Sequence, residues 1–281
     1  MADFNSSFGF TRFQHAVAYE TRYVFGAEVQ RFLQTVVETS SNRMRPLSKD
    51  EILWRAQLGN GSEVAGEEDA EFEVPGPHPP GRMKPPAHSP FEGRVNPKGI
   101  SCLYLANDKE TAMAEARPWV GSCISVAQFK VVRDLVLIDC KQEAGDGPWL
   151  LYEDDPDPAI REKAAWGQIG DAFSRPIGRG DWTPDYAVSQ ILAETFRSAG
   201  CGGVAYRSGL GKGLNIALFD INAAELVNCG LFRTKSVLYD FAEAAAPYYI
   251  AKHYRHLRER FQDDAIGTLK VVDFGTVDRD P

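Results

Sequence analysis

An α/β fold of the α+β kind, with a mixed β-sheet core and helical extensions at both ends, is predicted by three features of the sequence. The first is a strand, glycine loop and strand series: Gly202-Gly203-Val204-Ala205-Tyr206-Arg207-Ser208, Gly209-Leu210-Gly211-Lys212-Gly213, then Leu214-Asn215-Ile216-Ala217-Leu218-Phe219-Asp220. The second is the helix that feeds it, with Thr183 as N-cap, Pro184 at the first helical position, an apolar face of Ala187, Ile191, Leu192, Thr195 and Phe196, and Gly200 as its stop. The third is a short apolar strand, Leu103-Tyr104-Leu105, that leads into an Ala-rich helix.

Taken from the N-terminus, Val29, Phe32, Leu33, Val36 and Val37 fall at helical spacing and predict an amphipathic lead-in helix from Phe25 to Ser40 and Ser41. Pro46 and Ser48 are expected to break the helix before Ile52-Leu53-Trp54-Arg55-Ala56, a strand that sets one arginine among apolar neighbours. Residues 59–93 are rich in Pro and Gly and carry acidic residues at Glu67, Glu68, Asp69, Glu71 and Glu73, so a long loop is expected there, either a lid or a disordered insertion. His78 and His88 lie in it, too far from each other and from Cys or carboxylate company to suggest a metal.

The next two dozen residues concentrate chemistry. Arg94 sits in a loop bounded by Gly93, Pro97 and Gly99, where the backbone can approach a ligand closely. Asn107 followed by Glu110 reads as a capping box, which predicts a helix over 109–117 ended by Pro118. Glu115 then falls in the last turn, where the helix dipole disfavours a carboxylate. A residue that breaks a local rule is a candidate for a functional role. Strands are expected over 122–132 and 135–140, an acidic turn over 154–158, a helix over 159–172, a helix over 241–261 that carries His253 and His256, and a last strand over 269–277.

Composition narrows the function. A formal net charge of -8 and a pI near 5.3 argue against direct nucleic-acid binding or a membrane-surface role. Five widely spaced cysteines in apolar runs are expected to be reduced, and with no secretory leader or spanning stretch the predicted location is cytoplasmic. Gly211-Lys212-Gly213 lacks the leading glycine and trailing Ser/Thr of a phosphate-binding Walker loop, and no helix follows it, which excludes the nucleoside-triphosphatase reading.

The ordered series Leu-Trp-Arg-Ala at 53–56, Gly-Arg-x-Asn-Pro-x-Gly at 93–99, Leu-Tyr-Leu-Ala at 103–106, Ala-Glu-x-Arg-Pro at 114–118 and Tyr-x-Ser-x₆-Asn-x-x-Leu-Phe-Asp at 206–220 resembles the RES domain family. The resemblance covers roughly residues 50–228 and gives a division into an N-terminal helical extension (1–48), a RES domain (49–240) and a C-terminal helical extension (241–281). It implies a fold similar to ADP-ribosyltransferase toxins, NAD as substrate with no metal, and an NAD phosphorylase or glycohydrolase with inorganic phosphate or water as acceptor. An Xre-type antitoxin partner and a toxin or defence role are implied as well. Whether the chain forms a homo-oligomer is left open. On this resemblance the catalytic candidates are Glu115, Arg55 and Ser208, and the NAD-binding candidates are Arg55, Arg94, Tyr104, Ser208, Asn215 and Asn96. Two positions depart from the family pattern: Val95 after the loop arginine and Ala56 after Arg55, where aromatics are common.

The chemistry suits these residue types. Arginine forks bind a pyrophosphate better than lysine point charges do. The nicotinamide of NAD is already cationic, so cleavage of its bond to ribose needs support for a ribosyl oxocarbenium ion, which a carboxylate such as Glu115 supplies. The alternatives are a protein-directed mono-ADP-ribosyltransferase and a non-catalytic NAD-binding module.

Overall fold

Helix formation at the N-terminus follows the aromatic and valine spacing. Helix α1 (Gly9–His15) runs into a π-helical turn (Ala16–Glu20), and α2 (Ala27–Thr39) runs into a 3-10 turn (Ser40–Arg43). The expected face of α2 is the buried one: Val29, Phe32 and Val36 are inside, and the Phe32 ring meets Phe4, Phe10 and Phe13 at centroid distances of 5.7, 6.3 and 5.2 Å. This computed structural model describes residues 4, 6, 8–65, 72–88, 91–141, 156–175, 184–239 and 241.

After α2 come β1 (Met44–Leu47), β2 (Ile52–Leu58), the hairpin β3 (Gly61–Ala65) and β4 (Phe72–Gly76), the short α3 (Pro80–Met83), β5 (Leu103–Ala106) and α4 (Lys109–Glu115). Then follow β6 (Cys123–Val131), β7 (Leu135–Asp139), α5 (Pro158–Ser174), α6 (Pro184–Ser198), β8 (Gly203–Arg207), β9 (Leu214–Leu218) and β10 (Ala224–Arg233). Eight strands form one sheet in the order β1-β7-β8-β9-β5-β2-β6-β10. Only β7 and β8 run parallel, joined by the crossover that carries α5 and α6; the other neighbours are antiparallel. The mixed α/β fold is the one the sequence predicts.

Alternation along the central strands sorts two apolar layers. Val204, Tyr206 and Ala217 join the layer made with α1, α2, α5 and α6, in which Trp166 stacks on Phe196 at 6.1 Å. Ala205, Ile216 and Leu218 join Leu53, Leu103, Leu105, Phe129 and Leu137 on the opposite face. Gly200, at φ +88°, ends α6 in the left-handed conformation that a glycine adopts without steric cost.

Several local expectations are corrected. The helix ends before Pro46, as expected, but Pro46 itself lies inside an unexpected strand, β1, where an edge position tolerates it because one side needs no ladder hydrogen bond. Part of the expected 59–93 loop is the β3–β4 hairpin, where Gly61 faces Gly76 and Glu63 faces Val74. The strand β10, ten residues long and paired with β6, was not expected. Asp108, rather than Asn107, caps α4: its carboxylate accepts from the Thr111 amide at 2.7 Å and from the Thr111 hydroxyl at 2.8 Å, while Asn107 Oδ1 accepts from the Leu214 amide.

Residues 1–237 make one unit and 238–281 a second. In the second, residues 238, 239 and 241 are irregular and exposed. The expected helix over 241–261 with its two histidines falls almost wholly, and the strand over 269–277 wholly, outside the described residues, as do Thr183, Glu67, Glu68, Asp69, Glu71 and the first two residues of the acidic turn at 154–158. No helix among the described residues is long and apolar enough to cross a membrane.

Candidate active site

The sheet has a seam. Strands β2 and β6 pair over seven positions, but β2 and β5 share a single pair, Trp54 opposite Ala106, and diverge from there. Arg55 occupies the opening. Its Nη1 donates to the Tyr104 carbonyl at 2.8 Å, whereas its Nε is buried and has no partner. Burial pulls the guanidinium down to about 10, and the nearby Tyr104 only partly offsets this. Arg55 is therefore still charged at neutral pH, and no described carboxylate pairs with it. A buried cation without a counter-charge is costly unless something anionic completes it.

Glu115 stands at the C-terminal end of α4, which packs over β2. Its Oε1 accepts two hydrogen bonds at 2.6 Å each, one from the Ser208 hydroxyl and one from Asn215 Nδ2. Ser208 Oγ in turn accepts from the amides of Leu210 (3.1 Å) and Gly211 (2.7 Å), so the hydroxyl is fully committed. The glycine loop fits against the start of α4. The Gly213 amide donates to Thr111 Oγ1 at 2.9 Å, and a Cβ at Gly213 would overlap the Asp108 carboxylate and the Asn107 amide. The glycines thus allow the β8–β9 loop to lie close enough to hold the glutamate.

The Arg94 loop is built differently from the expectation. Tyr104 donates its hydroxyl to Asn96 Oδ1 at 2.6 Å and accepts from the Val95 amide at 3.0 Å. Asn96 Nδ2 reaches the carbonyls of Phe91, Pro97 and Ile100, and Gln190 on α6 donates to the carbonyls of Gly93 (2.8 Å) and Asn96 (3.1 Å). Val95 is buried in the helical layer. Arg94 donates to the carbonyls of Ala172 and Arg175 at the end of α5, where a cation complements the helix dipole.

Together Trp54, Arg55, Ala56, Tyr104, Leu105, Ala106, Ala112, Glu115, Ala116, Tyr206 and Asn215 line a cavity of about 210 Å³ over the seam. Of the residues expected from sequence, Arg55, Glu115, Tyr104 and Asn215 meet there, with Ser208 joined to them through Glu115. Arg94 and Asn96 are not in its wall; their polar groups are spent on the 93–96 turn and on α5. Trp54, Tyr206 and Gln190 were not anticipated. Tyr206 lies inside the Tyr-x-Ser motif and reads as simple core by alternation, yet it forms the cavity floor; its phenol is pushed up by burial, with Arg94 opposing and Glu115 adding to the shift. Chemically, one oxygen of Glu115 is fixed by two donors and the other is left to accept from a ligand, beside an aromatic wall and an uncompensated guanidinium.

No group of His, Cys, Asp and Glu suited to a metal occurs among the described residues. His78 spends its ring on the Leu58 carbonyl and its amide on Ser125 Oγ. All five cysteines are free, and burial raises Cys102, Cys140, Cys201 and Cys229.

One solved structure is similar: that of the MbcT–MbcA toxin–antitoxin complex of M. tuberculosis, with 16% identity, 70% of this chain and 92% of that chain covered, and a TM-score of 0.37. At that level the likeness carries no argument about this chain. No curated protein sequence matches. The family model of the RES domain matches residues 53–238, well over half of the 281 residues and a span that holds every residue of the cavity wall. The chain belongs to the RES domain family.

Proposed function

We propose that this chain consumes NAD by cleaving the bond between nicotinamide and ribose, with phosphate or water as the acceptor. The observation that carries the reading is the pairing, in one cavity, of a carboxylate held by two donors with a buried cation that lacks a counter-charge. Arg55 takes a phosphate of the substrate. The nicotinamide ribose lies against Tyr104 and Tyr206, and the unbound oxygen of Glu115 accepts from a ribose hydroxyl. As the C–N bond breaks, its electron pair leaves with nicotinamide, which becomes neutral, and the positive charge moves to the ribosyl ring beside the carboxylate. Water or phosphate then adds at the anomeric carbon; water loses a proton to solvent. Ser208 and Asn215 act by holding Glu115 rather than by touching substrate, and Arg94 and Asn96 by fixing the turn that backs Tyr104.

Family membership supports an NAD-directed reaction, a toxin role and an Xre-type antitoxin as partner. Release of nicotinamide from NAD, followed with and without inorganic phosphate and with mass measurement of the product, tests the chemistry. Absence of both nicotinamide release and NAD binding in the purified chain would overturn it. Expression in a bacterial host should lower cellular NAD and stop growth; unchanged NAD and growth would count against the toxin role. Glu115 is exposed at the cavity mouth, so a protein nucleophile has access to the same cation. Labelling of a protein band by tagged NAD would move the reading to ADP-ribosyl transfer.

A further inference from the structure

A cavity of about 210 Å³ is smaller than the ~300 Å³ at which complete small-molecule pockets begin, so half of a dinucleotide must lie outside it. The wall supplies one cation, Arg55, for a ligand with two phosphates. Arg94 is spent on the end of α5. Lys109 is differently placed. It opens α4, where the helix dipole disfavours a cation, and it is half-buried although lysines are seldom drawn in without a partner. Its Nζ stands 6.0 Å from the ring centre of Trp54, a wall residue, and 5.3 Å from that of Phe232 on β10. No described carboxylate lies within ion-pair distance of it. Two aromatic faces therefore steady an ammonium at the edge of the cavity and leave its donors without an anion.

We infer that Lys109, held over Trp54 and Phe232, receives the phosphate of the dinucleotide that lies outside the cavity, while Arg55 takes the inner one. The inference rests on the NAD reading above and names the second anchor of that substrate. It also gives a reason for a tryptophan at position 54: the ring both walls the cavity and orients the lysine.

The test compares NAD, with two phosphates, and nicotinamide mononucleotide, with one, by calorimetry on the full chain and on Lys109→Met and Lys109→Arg variants. Methionine keeps an apolar stem over the rings and removes the charge. It should weaken NAD about tenfold and leave the mononucleotide unchanged, and arginine should retain NAD binding. In turnover, Lys109→Met should raise KM for NAD by a similar factor with kcat little changed. Equal affinity for NAD in the wild type and Lys109→Met, or equal weakening of both ligands, overturns the inference and leaves the NAD reading standing. Failure of the wild type to bind either ligand removes both.

Discussion

Replacing Glu115 by glutamine removes one negative charge and almost nothing else. The amide oxygen can still accept from Ser208 and Asn215, so the two 2.6 Å hydrogen bonds and the loop behind them need not move. On the reaction proposed above, what is lost is the attraction between a carboxylate and a ribosyl cation about 4 Å away. That attraction is about 1 kcal/mol if bulk water screens it and about 4 kcal/mol at the effective dielectric of a protein surface. Glu115 is exposed in the unliganded protein, but a bound dinucleotide displaces the water above it, which places the loss nearer the upper figure, at about 3 kcal/mol. The expected result is a fall in kcat of about a hundredfold with little change in NAD affinity. Nicotinamide release at saturating NAD gives kcat, and calorimetry with the slow variant gives the affinity. Turnover by Glu115→Gln within about twofold of wild type would refute the role given to the carboxylate, since a charge worth less than ~0.5 kcal/mol is not stabilising the transition state.

Other expectations follow from the same geometry. Ser208→Ala leaves Glu115 with one of its two donors and should lower kcat by about tenfold with KM nearly constant, as steady-state kinetics would show. Arg55→Met should abolish NAD binding and yet stabilise the unliganded protein: a guanidinium brought from 12.5 to about 10 by burial carries about 3 kcal/mol of desolvation, of which the orphaned Tyr104 carbonyl takes back about 1–2. The sign is that of a cation more weakly protonated when folded. The penalty is fully present below pH ~10 and is relieved only as the folded protein gives up that proton, so a higher melting temperature for Arg55→Met at neutral pH is the check. Gly213→Ala forces a Cβ into the Asp108 carboxylate and should displace the loop that holds Glu115, with loss of turnover exceeding any loss of melting temperature. Gln190→Ala leaves the Gly93 carbonyl without its donor and the Asn96 carbonyl with the Gly93 amide alone, and should cost about 1–3 kcal/mol in urea unfolding.

How legible the molecule was depends on whether a feature is local in the chain. The helices α2, α5 and α6 were readable because their signals lie within a few residues: apolar spacing in α2, a proline-containing turn before α5, and in α6 apolar spacing together with a proline start and the Gly200 stop. The hairpin of β8 and β9 was readable for the same reason. Strand β10 was not: its register shifts between Leu226 and Asn228, which disrupts the period-2 signal, and exposed Val227 looks no different from a core residue. Asn107 and Asp108 are both good caps, and only the hydrogen bonds of Thr111 and Leu214 decide between them. Arg94 stands out in sequence for its glycine and proline neighbours, but the carbonyls it serves are 78 and 81 positions away. The seam between β2 and β5 left no trace at all, because a missing ladder is a relation between strands and not a property of either.

The order of the site along the chain has a consequence for biosynthesis. Glu115 leaves the ribosome long before the serine and the asparagine that orient it, at 208 and 215, and before the strand that seats them. A nascent polypeptide shorter than this therefore carries the acid with nothing to aim it. If the finished protein destroys a metabolite that its own host needs, translation itself withholds the activity until most of the molecule has been made.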